Sequence, residues 1–295
     1  MNTERVKNIL IVLFSLIALS LAIFVFVDEG RYNLAAAQEA AIISLLEHND
    51  VHLGDRMEMP RSFRPMRGLD LRRYDYDREG MVARFFDTEP QVEIEGDNMF
   101  FFTDDREMVY SYHHNWIIFD IPGGITNEAF SAAPGAAAAR QLAEEYIEAL
   151  IGMPPGMEHF FTRLNHDNDY VIGFFSTYRG HVLYNDHIRI TVTNVGITYI
   201  LYSRVINSGL TGEGRVVFSA DEALLALLNH LQHIQIEGRI VLEEMRLDYY
   251  LVNDDGRWTG VPAYVFTAWH APSELVFNFI FNAYTNEYIW HEVIR

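Results

Sequence analysis

Apolar residues run from Ile9 to Val27, interrupted only by Ser15 and Ser20, and no polar face develops along the way. A helix rising about 1.5 Å per residue would carry such a run across most of the ~30 Å hydrocarbon core of a bilayer, so the pattern predicts one membrane span. The run is longer than the roughly 7–15 apolar residues of a secretory signal, and Asp28-Glu29-Gly30-Arg31-Tyr32 offers no small-residue cleavage site, so it reads as a retained anchor. Arg5 and Lys7 precede it and Asp28 and Glu29 follow, which sets residues 1–8 in the cytoplasm and the rest outside. Ser15, Ala18 and Ala22, spaced by three and four, line one face on which a second membrane helix can pack closely.

Beyond the span the hydrophobic period changes repeatedly between helical and extended. Asn33 is placed to cap a helix with Leu34, Ala41, Ile42, Leu45 and Leu46 near one face. Strands are expected at Leu69–Tyr76, Met81–Phe86, Met99–Thr103, Val109–Tyr112 and Trp116–Ile121, separated by Asp, Gly and Asn. Pro122-Gly123-Gly124 and the small residues Ser131 to Ala139 break the pattern. A helix carrying Leu142, Tyr146, Ile147 and Leu150 comes next, then strands at Phe160–Leu164, Tyr170–Tyr178, Ile188–Asn194 and Thr198–Ile206. Ser219 and Glu222 form a capping box before Leu224, Leu225, Leu227, Leu228 and Leu231. Strands at Arg239–Val252, Ala263–Trp269, Leu275–Asn282 and Glu287–Val293 complete the chain. Helix followed by antiparallel strands thus occurs three times. The expectation is an α+β fold, with one N-terminal transmembrane helix over 9–27 followed by repeated helix-plus-antiparallel-sheet units. Its regions are a membrane-proximal stretch at 28–130 and units at 131–212 and 213–295.

Composition narrows the function. Hydrophobic residues make up 49 % and aromatics 14 % of 295 residues, enough to bury a core in each of two or three domains. A formal charge of -19 argues against nucleic acid, whose phosphates are held by Lys and Arg in excess. Cysteine is absent and Lys7, the single lysine, falls on the cytoplasmic side, so thiol nucleophiles, Schiff-base lysines and Ser-Lys dyads are missing from the exterior part.

The candidate chemistry is sparse. His230 and His233 sit one helical turn apart, but zinc needs three or four ligands and no HExxH motif is present; His113-His114, His159, His166, His181 and His187 read as surface or packing residues. Asp104-Asp105, Asp167-Asn168-Asp169 and Asn253-Asp254-Asp255-Gly256 read as turns rather than calcium loops. Met59-Pro60-Arg61-Ser62-Phe63-Arg64-Pro65-Met66-Arg67-Gly68, with its two prolines, is expected to run extended or as a loop and not as a helix, and Arg61, Arg64 and Arg67 either meet an anionic envelope ligand or pair with the protein's own carboxylates. Tyr264, Trp269, Phe277, Phe279, Phe281 and Tyr284 follow the alternation of packed strands. No catalytic residue, metal or cofactor is expected.

The Asn8-Ile9-Leu10-Ile11-Val12-Leu13-Phe14 span, the Leu45-Leu46 helix and Pro60-Arg61-Ser62-Phe63-Arg64-Pro65-Met66 resemble YycI-type regulatory proteins. Tyr184 to Val192 with Gly196-Ile197-Thr198 resembles the strand pair of their repeated units. Val261 to Phe266 and Asn282 to Glu287 resemble the closing strands of PepSY-like domains, with Asn286 where such sequences often carry Gly. The resemblance implies a non-enzymatic, single-pass accessory regulator in the cell membrane, with its C-terminal part extracytoplasmic. Its implied partners are a YycG (WalK)-type sensor histidine kinase, a YycH-like protein and the lipid bilayer. The competing reading is a PepSY-like binding or inhibitory module acting on an exported peptidase or envelope component; an envelope hydrolase is least favoured.

Overall fold

The computed structural model describes residues 34–294 apart from 56, 62, 166, 255 and 256, together with Phe14. The expected span Ile9–Val27, with Ser15, Ala18 and Ala22, lies outside the described residues apart from Phe14. Among the described residues no helix is long and apolar enough to cross a membrane.

Helix α1 (Ala36–Glu47) starts two residues later than a cap at Asn33 would start it, and Gln38 Oε1 accepts from the Ala35 N–H. The short strand β1 (Val51–Leu53) precedes the proline-rich stretch, whose described residues stay irregular as far as Pro65, and β2 (Met66–Arg73) takes up its last three residues. Met81–Phe86 is not a strand. Asp77 Oδ1 caps Gly80 N–H at 3.0 Å, and Met81 and Phe85, four apart, bury on one face of helix α2 (Arg78–Phe85). Four antiparallel strands come next: β3 (Gln91–Glu95), β4 (Asn98–Phe102), β5 (Glu107–Ser111) and β6 (Trp116–Ile125).

Strand β6 runs through the expected break at Pro122-Gly123-Gly124 because its neighbour comes close there. Gly124 and Gly196 have φ of +69° and +107°, and a Cβ on Gly196 would stand 2.1 Å from the Ile125 carbonyl oxygen. Only glycine fits such a backbone and such an approach.

Short helix α3 (Glu128–Ala132) leads into α4 (Ala136–Leu150), which buries Ala139, Leu142, Ala143, Ile147 and Leu150. Strands β7 (Met157–Leu164), β8 (Tyr170–Tyr178), β9 (His181–Thr193), β10 (Gly196–Ser203) and β11 (Val205–Arg215) follow. The Ser219 backbone N–H donates to Glu222 Oε2 at 2.9 Å, and the capping box opens α5 (Ala220–His233) where the sequence predicts it. The chain ends in β12 (Ile240–Asp254), β13 (Arg257–His270), β14 (Leu275–Asn282) and β15 (Tyr288–Ile294).

The expected repeated helix-plus-antiparallel-sheet units are not what forms. The fifteen strands join in one large mixed sheet, whose main path runs β11-β2-β13-β12-β9-β10-β6-β5-β4-β3. Three strand pairings cause this. Strand β9 begins seven residues before Ile188, and the added length lets Leu183 pair in parallel with Tyr249 of β12. Strand β2, from the region expected to lie beside the membrane, inserts between β11 and β13 through pairs such as Leu71↔Asn207 and Leu71↔Trp258. Strand β1 pairs in parallel with β12 from Val51↔Ile240 to Leu53↔Leu242. Alternation tells which face a side chain takes, but not which strand becomes its neighbour.

Two main apolar cores result. One packs α2 and α4 on β4–β6 and β8–β10, around Phe85, Phe119 and Phe174. The other packs α1 and α5 on β1 and β12–β14, around Leu46, Leu227, Tyr264 and Phe281. A smaller cluster of Leu69, Leu71, Leu183, Val205, Tyr249 and Trp258 fills the place where β2, β9, β11, β12 and β13 meet.

Candidate functional site

Between Val182 and His187 the register of β9 against β8 slips, which breaks the alternation and brings Tyr184 and His187 together against Phe175, with Tyr184 and Arg189 both on Glu292. Because β9 lies between the two cores, its polar side chains are enclosed by protein. Arg189 of β9 makes a bidentate pair with Glu292 of β15, one arm at 2.9 Å. A hydrogen-bond chain leads into the same carboxylate: Thr267 donates to Asn278 at 2.9 Å, Asn278 donates to the Tyr184 hydroxyl, and Tyr184 donates to Glu292 at 3.3 Å. Burial pushes the Glu292 carboxyl up, but the Arg189 charge and hydrogen bonds, with His187 and Tyr184, outweigh it and hold Glu292 below the usual range.

Two further acids on this seam are buried. Asp186 accepts from Arg204 Nε at 3.2 Å and from the Val205 N–H at 3.4 Å. Asp248 accepts from the Val182 N–H at 2.8 Å and lies 3.0 Å from Arg246 Nε. Burial raises both carboxyls against the pull of their arginines. His187 Nδ1 lies 3.0 Å from the Tyr184 carbonyl and its ring stacks on Phe175, while Nε2 is buried without a partner. Desolvation, and after it the Arg189 charge, lower its pKa to about 3, so the ring is neutral at physiological pH. This seam holds fixed charges in mutual pairs, the chemistry of a lock between sheet segments.

The residues singled out from sequence are scattered. Arg61 is exposed and lines a 610 Å³ cleft with Glu58, His181, Arg246 and Asp248, a cleft that neither Arg64 nor Arg67 lines. Arg67 sits in β2, and its Nε donates to the Gly212 carbonyl at 2.7 Å, so it ties β2 to β11. His230 stacks on Tyr288 with centroids 4.0 Å apart, and among the described residues no three His, Cys, Asp or Glu side chains are grouped to hold a metal. Asp105 accepts from Thr103, and Asn165 Oδ1 accepts from the Asp169 N–H at 2.8 Å; both are turn bonds.

A surface feature the sequence reading missed lies at the end of the sheet. Among the described residues strand β3 hydrogen-bonds to β4 alone, and its Val92 and Ile94 stand opposite Phe101 and Met99, residues that belong to the first core. They therefore continue the core face of the sheet past the helices that cover it. Val92 is 52 % and Ile94 71 % exposed. The alternation Gln91-Val92-Glu93-Ile94-Glu95 was the available signal, obscured by its shortness and three polar residues.

No family model matches the chain, and no curated protein does. Among solved structures it is similar to an uncharacterized Eubacterium rectale protein, with 12% identity and TM-score 0.45 over 81% of this chain and 90% of that one. It is similar to the C-terminal domain of Bacillus megaterium YpeB, with 12% identity and TM-score 0.36 over 76% of this chain and all of that one. It is also similar to Bacillus subtilis YycH, with 11% identity and TM-score 0.43 over 71% of this chain and 53% of YycH.

Proposed function

We propose that this chain is a membrane-anchored, extracytoplasmic accessory regulator of a YycG-type sensor histidine kinase, working by contact with the kinase and with a YycH-like partner. The sequence supports this through the apolar Ile9–Val27 run and through the resemblance to YycI-type proteins carried by Pro60 to Met66 and Tyr184 to Val192. The geometric observation that carries a contact function is the open edge of β3. A strand with unpaired backbone groups and two exposed apolar side chains, Val92 and Ile94, accepts a partner strand by extending the sheet. In this reading the buried ion pairs of β9, β12 and β15 keep the sheet rigid, so that docking at the edge reorients the body as a whole.

Affinity capture of the full chain from membranes of its own cells tests the reading. Recovery of a sensor kinase and a YycH-like protein, lost on Val92→Glu with Ile94→Glu, is the expected result. Recovery of an exported peptidase instead would replace it with the inhibitory-module reading.

A further inference from the structure

A second open region carries chemistry that edge docking does not use. Where the C-terminal end of β2 meets the start of β13 and the β5–β6 turn, a cleft of 720 Å³ is floored by Leu71 and Trp258. Its walls carry Arg72, Arg73 and Arg257, with His113 beside them and Asp97 on the rim. The Arg73 guanidinium lies 3.8 Å from the centroid of Tyr112 and 5.8 Å from that of Trp258, and Nη2 donates to the His113 carbonyl at 3.4 Å. Its Nε is buried without a partner.

Among the described residues Arg106, Arg140, Arg189, Arg204 and Arg246 pair with carboxylates, whereas Arg67, Arg78, Arg179 and Arg215 are met by a carbonyl, a sulfur or an aromatic ring. Among the described residues no carboxylate lies within ion-pair distance of Arg72, Arg73 or Arg257, although the chain carries 41 Asp and Glu against 22 Lys and Arg. Arg73 is oriented by a ring and a peptide carbonyl, so its charge is held in place yet left unspent. Among the described residues that line the cleft, three arginines stand against one acid, Asp97, an excess of two positive charges. That excess matches a phosphate monoester, which carries about −1.5 to −2, better than it matches a single carboxylate. Guanidinium forks also suit the oxygens of a phosphate in two-point hydrogen bonds. The volume leaves room beyond the phosphate for the organic part of the ester, against Tyr112 and Trp258.

We propose that this cleft binds a phosphate monoester through Arg72, Arg73 and Arg257. The ester is either a soluble polyol or sugar phosphate or the headgroup of a lipid, and the shared phosphate chemistry is what the site reads.

The test is calorimetric titration of the full chain with glycerol 3-phosphate, beside flotation with phosphatidylcholine vesicles with and without phosphatidic acid. Saturable binding of glycerol 3-phosphate supports a soluble ester; binding only to the phosphatidic acid vesicles supports a headgroup. In either arm Arg72→Gln with Arg257→Gln, two exposed residues whose change leaves the fold intact, should weaken binding about ten-fold or more. Arg73→Gln should do the same, with circular dichroism confirming its fold. Arg61→Gln should leave binding unchanged. Absence of binding to both probes, or equal binding by the double variant, overturns the proposal and leaves the edge-docking reading of β3 untouched.

Discussion

Arg189 and Glu292 stand 103 residues apart in sequence and face each other across the seam, two guanidinium nitrogens on two carboxylate oxygens. Both side chains are largely removed from water, at 14 % and 24 % exposure. Removing one partner strands the other charge, so Arg189→Gln is expected to cost about 3 kcal/mol in urea unfolding. Arg189→Met with Glu292→Leu should cost less than the two single changes added together. Single variants as stable as the parent would show that the pair is solvated in solution.

His187 makes stability depend on acid. The unfolded chain takes up a proton at this ring near pH 6.5, whereas the folded chain refuses it until about pH 3. Its contribution is therefore complete above pH 6.5 and lost as pH falls toward 3, at about 1.4 kcal/mol per unit. Asp186 and Asp248, whose carboxyls burial raises, push the opposite way, so the measurement is a difference. The stability advantage of the parent over His187→Phe should shrink steadily from neutral pH to about pH 4; a constant difference would place the ring in contact with water.

The β3 edge separates folding from contact. Val92 and Ile94 are exposed, so changing both to Glu is expected to alter unfolding free energy by less than about 1 kcal/mol. The same pair of changes should abolish capture of the partner described above, a result read on blots of matched samples.

Gly196 and Gly96 both adopt positive φ but differ in surroundings. A methyl on Gly196 meets the Ile125 carbonyl at 2.1 Å, while one on Gly96 meets nothing within 4 Å. Gly96→Ala should cost about 1 kcal/mol from backbone strain alone. Gly196→Ala should cost at least about 3 kcal/mol, because the β9–β10 turn must also move off β6. Equal thermal shifts would show that β6 yields readily.

Much of the local structure was legible in the sequence. The Ser219 capping box and the leucines behind it mark α5, and Leu275–Asn282 emerges as a strand with the bounds its alternation predicts. Met81 to Phe86 misled because six residues with apolar ends satisfy either period, and the Asp77 cap that decides for helix lies outside them. The single large sheet was not legible, since the partners of β2, β9 and β12 depend on strand lengths and crossings that no one segment encodes. The candidate sites show the same limit. Arg61, Arg64 and Arg67 attract attention as neighbours in sequence, whereas Arg72, Arg73 and Arg257 become neighbours only once Trp258 pairs with Leu71.

The docking of α1 and β1 against the last third of the chain has a mechanical consequence. Gln232 of α5 donates to Asn49 across 183 residues, and Val51 lies beside Ile240. A pull applied at residue 34 therefore enters β12 and α5 before it reaches β3 or α4. Parallel strands loaded along their length resist by sharing the force among several hydrogen bonds at once, so β1 behaves as a shear clamp. Tension entering at residue 34 is expected to load the C-terminal core ahead of the β3 edge, through Val51 on Ile240 and Asn49 on Gln232.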